Sequence, residues 1–198
     1  MTTEERLERV ERELAGLRAG LAKRIETREV SIVDEKGETR ALLGTDKGEP
    51  GLDLLDEKGK VRAALHVTKM ESGLVLIDEN GKPRAGLGVH EDGPVLALSD
   101  EKGKPLAILV LSKDGLRLDL FDEKGKPRAM LLVSKDGPQL DLLDENGKSR
   151  AGLGVTKDGP MLRLSDENGK PRAGLTALKD GPRLDLFSEK GEPVWSAP

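Results

Sequence analysis

The chain has 198 residues, 35% hydrophobic, 35% charged and only 2% aromatic, with 33 basic and 37 acidic side chains for a net charge of −4. No apolar run approaches the ~18 residues of a membrane-spanning helix, and there is no cysteine for a disulfide scaffold, thiol catalysis or a thiolate metal site. The charge balance leaves no basic surplus for nucleic acid. No apolar stretch follows Met1-Thr2-Thr3-Glu4-Glu5-Arg6 to make a secretion signal, so a cytoplasmic protein is expected.

Residues 1–28 read as an amphipathic coiled-coil helix. Leu7, Val10, Leu14, Leu17 and Leu21 are spaced 3, 4, 3 and 4, the seam of a heptad pattern, and Glu and Arg fill the other faces. Thr3 followed by Arg6 is a poor cap, but the Glu-rich first turn suits a helix N-terminus. So short a helix is marginal alone and needs a partner. That partner is either a second copy, which makes the chain a homo-oligomer, or the chain's own repeat domain; we favour the copy.

Residues 29–198 are a repeat. Gly37, Gly59, Gly81, Gly103, Gly125, Gly147, Gly169 and Gly191 recur every 22 residues, each inside Asp-Glu-Lys/Asn-Gly, with Ser188 replacing Asp in the last copy. A second series, Gly93, Gly115, Gly137, Gly159 and Gly181, follows Asp at the same spacing, and the earlier copies blur it. Asn-Gly and Asp-Gly between alternating segments predict two-residue type I′ hairpins, leaving about nine residues per strand. Counting outward from Lys124-Gly125 puts Leu120 opposite Ala129 and Leu118 opposite Leu131, so the apolar sets meet on one side. Prolines such as Pro127 and Pro138 stand at strand starts, where a missing N–H is tolerated. The expectation is an all-β, up-and-down antiparallel meander or barrel of eight 22-residue hairpins, preceded by the helix.

The apolar face carries Leu54, Leu76, Leu98, Leu120, Leu142, Leu164 and Leu186 at one repeat position and is expected to be buried as a core or channel. Sixteen strands closed into a round barrel would enclose a porin-sized lumen that side chains cannot fill. A flattened sandwich, pooled faces of several chains or an apolar ligand would each resolve that hole. A lipid-facing outer-membrane barrel is excluded, because the apolar band is only ~13 Å tall and aromatic girdles are missing.

The polar face carries Arg40, Arg62, Arg84, Arg128, Arg150 and Arg172 at one position, with Asp53, Asp119, Asp141 and Asp185 diagonal to them. A solvated ladder of weak ion pairs is the plain reading, and an anion-binding stripe the sharper one. Gly86, Gly88, Gly152, Gly154 and Gly174 leave side-chain-free grooves, which permit strand bending or admit a close neighbour. Leu106, Ile108, Val110, Phe121, Met130 and Leu132 interrupt the same face and form a candidate contact patch for a neighbouring subunit or the helix.

Catalytic chemistry is not legible. Gly147-Lys148-Ser149 lacks the upstream glycine of a phosphate loop, and the Asp-Glu-Asn-Gly turns lack the alternating ligands of a calcium loop. His66 and His90 occupy different repeat positions and read as separate surface histidines, and Trp195 reads as a seal on the last strand. No catalytic residue, metal or cofactor is expected.

Copies such as Asp78-Glu79-Asn80-Gly81-Lys82-Pro83-Arg84-Ala85-Gly86-Leu87-Gly88-Val89 resemble bacterial hairpin-repeat proteins of the β-flower type. That resemblance covers residues 29–198 and implies a shallow barrel with an apolar channel; the family's likeness to tubby-like barrels implies lipid. The charged N-terminal heptads depart from it. The functional expectation is a non-enzymatic, self-associating structural or scaffold protein oligomerised by its helix, a fibre or spike of a phage-like assembly being its special case. A carrier of lipid or another apolar ligand is the alternative, and a β-solenoid the alternative fold.

Overall fold

The computed structural model describes residues 2–21 and 26–198, the side chains of 17–21 excepted. Helix α1 spans Thr3–Leu21, shorter than expected, and residues 26–28 are not helical. Its start is better built than the sequence suggested. Thr2 Oγ1 accepts from the Glu5 amide at 3.2 Å while Glu5 Oε2 accepts from the Thr2 amide at 2.6 Å, so a reciprocal capping box forms one residue before Thr3. The Arg9–Glu13 pair, at 3.0 Å, ties successive turns. Among the described residues α1 touches no strand, so it is not packed back on its own sheet. No described helix is long and apolar enough to cross a membrane.

Sixteen strands follow in one antiparallel sheet whose spatial order is the chain order. The odd strands, which enter the Asp-Glu-Lys/Asn-Gly turns, are β1 (Glu29–Val33), β3 (Glu49–Leu55), β5 (Ser72–Ile77), β7 (Gly93–Ser99), β9 (Gly115–Phe121), β11 (Gly137–Leu143), β13 (Gly159–Ser165) and β15 (Gly181–Phe187). The even strands, which leave them, are β2 (Thr39–Asp46), β4 (Val61–Val67), β6 (Pro83–His90), β8 (Pro105–Ser112), β10 (Pro127–Ser134), β12 (Ser149–Thr156), β14 (Pro171–Leu178) and β16 (Pro193–Ala197). The sheet does not close: β1 bonds only to β2 and β16 only to β15, so the barrel expectation is corrected to an open meander.

The register is the one the alternation demands, with Leu120 opposite Ala129 and Leu118 opposite Leu131. The turns differ from expectation. Type I′ needs positive φ at both central residues, and among the described residues Lys47, before Gly48, is the only non-glycine one with positive φ. The first turns are built differently. The Gly125 amide donates to the Asp122 carbonyl at 2.8 Å, the Asp122 amide donates to the Lys126 carbonyl at 2.9 Å, and Gly125 takes φ 76°. That is a type I turn closed by a left-handed glycine bulge. The bulge absorbs the extra residue, which preserves the Leu–Ala register and shortens the strands to 5–8 residues.

The last four second turns place Lys-Asp at the centre, as in Lys135-Asp136, and their glycine begins the next strand. Gly137 has φ 115°, and a Cβ there would fall on the Val155 carbonyl oxygen of the adjacent strand. Both conformation and space therefore demand glycine.

Candidate functional site

The two faces of the sheet differ in the opposite sense from the one the sequence suggests. The leucines expected to form a buried core or channel are all exposed: Leu54, Leu76, Leu98, Leu120, Leu142, Leu164 and Leu186 lie between 41% and 49% accessible. Ala41 is the only hydrophobic residue buried among those described. The physical reason is the open sheet. With no closure and no second layer, nothing among the described residues stands over the leucines.

The polar face, by contrast, covers itself. Asp141 is 3% accessible and Asp119 is 8%. Asp141 accepts from Ser149 Oγ at 2.7 Å and lies 3.7 Å from Arg163. Asp119 pairs with Arg117 at 2.9 Å. The candidate contact patch forms the walls of that pair: Ile108 and Met130 stand directly across the strands from Asp119, and Val110 and Leu132 across from Arg117. Leu106 is exposed, while Ile108, Val110, Phe121, Met130 and Leu132 are half-buried, so the patch is more sheltered than the leucine face.

The arginines at this repeat position do not meet the acids diagonal to them. Arg40 pairs with Asp34 at 2.6 Å, Arg62 with Asp56 at 3.5 Å, Arg84 with Asp78 at 3.4 Å and Arg150 with Asp144 at 3.5 Å, so each reaches back to the aspartate of its own first turn. The same guanidinium also donates forward: Arg62 Nε reaches the Ile77 carbonyl at 2.8 Å, and Arg150 Nε reaches the Ser165 carbonyl at 2.9 Å. Lysines add a second tie between neighbouring hairpins, such as Lys126 Nζ to the Glu145 carbonyl at 2.8 Å. The first-turn edge is thus laced from hairpin to hairpin.

The turn aspartates are held ionised. At Asp56 the Lys60 amide is the main cause of a carboxyl below its ordinary value, opposed by desolvation and helped by the Lys58 amide and Arg62. Asp34, Asp78, Asp100, Asp122 and Asp144 shift the same way, each led by the amide four residues on.

Clefts lie over the expected glycine grooves. One of about 280 Å³ is lined by Gly152, Gly154, Met161 and Arg163. A second of about 200 Å³ is lined by His66, Gly73, Gly86, Gly88 and His90. The glycines make room for the chain's own polar groups: a Cβ at Gly152 would stand 3.1 Å from Asp141 Oδ1, and one at Gly88 3.1 Å from His90 Nε2.

The second cleft holds an association that reading the histidines separately missed. Glu71 Oε2 lies 2.9 Å from His90 Nδ1 and Glu71 Oε1 lies 3.4 Å from His66 Nε2, so one carboxylate joins β4, the turn after it and β6. The signal was available as departures from the repeat. His66 stands where Gly44, Gly88 and Gly154 stand, His90 where Ser112, Ser134 and Thr156 stand, and Glu71 where Gly93 and Gly115 stand. No group of three His, Cys, Asp or Glu side chains among the described residues has metal-holding geometry; the cluster is one carboxylate set between two imidazoles.

On the helix, Leu7, Val10 and Leu14 are at least half exposed; Leu17 and Leu21 lie on the same helix, but their side chains fall outside the described residues.

No family model and no curated protein matches this chain. Among solved structures it is similar to a mutant of S. aureus TarM in complex with fondaparinux, α-GlcNAc-glycerol and UDP, at 13% identity and TM-score 0.25. That match covers 70% of this chain and 22% of the other. It is also similar to a candidate 6-phosphogluconolactonase from Bacteroides uniformis, at 8% identity and TM-score 0.20 over 84% of this chain and 86% of the other.

Proposed function

We propose that the protein is a non-enzymatic, self-associating structural protein whose β-repeats form the body and whose N-terminal helix sets the copy number. The observation that carries this reading is the uncovered leucine face running across the sheet. A compact monomer of 21.4 kDa would expose about 9,100 Å². This chain alone exposes 14953 Å². Large apolar side chains on the helix and across the leucine face are bare, and the excess is ample for a standard interface of roughly 800 Å² per partner. At about 25 cal/mol per Å² of apolar surface removed from water, covering that face with another copy is strongly favourable.

Native mass spectrometry of the full chain tests the proposal. The expected result is a clean multiple of 21.4 kDa, and Leu14→Asp on the heptad seam lowers that multiple. A bare monomer at micromolar concentration would sink the reading. The same exposed leucines favour one other occupant, lipid or another apolar ligand. Excess mass removed by solvent extraction, with stoichiometry indifferent to Leu14→Asp, would assign the face to that ligand.

A further inference from the structure

We infer that the two free sheet edges, β16 of one copy and β1 of the next, pair antiparallel and join chains head to tail, with Trp195 opposite Ile32 and Ala197 opposite Val30. This inference deepens the self-association reading and rests on it. It begins with repeat phase. Every even strand from β2 to β14 meets the following odd strand across a second turn, in one register. In that register an alanine faces a leucine, as in Ala41 opposite Leu54, Ala107 opposite Leu120 and Ala173 opposite Leu186. Seven such junctions exist within the chain, and β16 and β1 are the two halves of an eighth. Carrying the β14–β15 register over by whole repeats sets Trp195 against Ile32, Ser196 against Ser31 and Ala197 against Val30.

The residues at these edges depart from the repeat in the way a pairing edge requires. Trp195 replaces the alanine, and Ile32 and Val30 replace the leucines, giving an aromatic opposite a β-branched side chain, a favourable cross-strand combination. All three are exposed in the single chain. The ladder charges are also missing. Val194 stands where Arg172 and Arg150 stand, and Ser31 where Asp53 and Asp119 stand. Sheet edges that must stay unpaired are blunted by charge. Here charge has been removed from both, leaving Glu29 as the only charged residue in β1 and none in β16. Closing the same edges within one chain would create the wide lumen that side chains cannot fill. Pairing between copies avoids it and gives a heterologous contact that builds rings or filaments.

The chain has no cysteine, so an introduced pair reports only itself. Val30→Cys with Ala197→Cys is the counterpart of Leu184 opposite Leu175. Facing residues of an antiparallel pair stand about 4.5–5.5 Å apart, within disulfide reach. Oxidising the double variant should give a ladder of linked chains on a non-reducing gel. Mixing the two single variants should give linked dimers, which only contact between copies can produce. Ser31→Cys with Ser196→Cys, on the opposite face of the same edges, repeats the test should the first pair disturb folding.

A thiol-free monomer of unchanged mass, meaning closure within one chain, would overturn the inference. So would an absence of disulfide from both pairs while native mass still shows oligomers; that outcome leaves the self-association reading standing. Reduced variants and parent that are all monomeric would overturn both.

Discussion

Asp141 and Leu142 are neighbours on β11, yet they live in different physical regimes. Asp141 is enclosed by Ser149, Gln139 and Arg163, whereas Leu142, pointing the other way, is half open to water. The polar face satisfies itself: its acids meet arginines, its arginines meet turns and carbonyls, and its glycines vacate the space these contacts need. The leucine face satisfies nothing within the chain. In most single-domain proteins the apolar side is the stabilising interior. Here the interior-like surface is the charged one, and the hydrophobic contribution is deferred until something covers the leucines.

The turns make a parallel contrast and give the largest expected effect. Gly125 needs glycine only for its backbone, since open space surrounds its Cβ direction, whereas Gly137 needs it for backbone and space together. Gly137→Ala should therefore destabilise by about 3 kcal/mol, combining left-handed strain with overpacking against the Val155 carbonyl. Gly125→Ala should remove only about 1–2 kcal/mol. Urea unfolding of the two variants checks this, and equal midpoints would show that the second turns are not the tighter ones.

Next in size is the contrast between the faces. Asp141→Ala removes a buried carboxylate that accepts from Ser149 and Gln139 and should destabilise by about 1–3 kcal/mol at any protein concentration. Leu142→Ala should remove under about 1 kcal/mol from the dissociated chain, because so much of the side chain is wet already. Its effect should grow as concentration rises and copies cover the face. Denaturation curves at two concentrations a hundredfold apart decide the matter. A Leu142→Ala penalty independent of concentration would mean that the leucines contribute nothing to assembly.

Much of this was legible because a 22-residue period multiplies weak signals. Leucines at one position fixed the face and the register, and Leu120 opposite Ala129 followed from counting alone. Turn type escaped because Asn80-Gly81 suits both a type I′ hairpin and a type I turn with a glycine bulge. Both give the same Leu–Ala register, so the alternation could not distinguish them. Closure escaped for a different reason: it depends on whether β1 meets β16, and pattern within a repeat says nothing about its ends. The partners of the arginines escaped because Arg40 could reach either Asp34 or the strand acids, and only a fixed turn makes Asp34 the nearer. His66, Glu71 and His90 were hidden by being unlike the repeat, which is where a repeat protein carries its individuality.

The smallest and most distributed effect is that of acid. Seven first-turn aspartates, six of them like Asp56 in being governed chiefly by the amide four residues on, sit below their ordinary value in the folded chain. A carboxyl more acidic when folded than unfolded contributes stability above its unfolded value and loses it as pH falls through the folded one. The first turns should therefore weaken progressively from about pH 5 downward. Each group alone contributes little, but the turns are tied to one another through lysines such as Lys126, so the loss should spread along that edge. Asp56→Asn and Asp122→Asn together should flatten the acid limb of a stability–pH profile and leave its neutral plateau slightly lower. An acid limb as steep as the parent's would place the sensitivity outside these two turns, in the other lowered aspartates, among them Asp185, whose low value comes from Ser196 and Arg183.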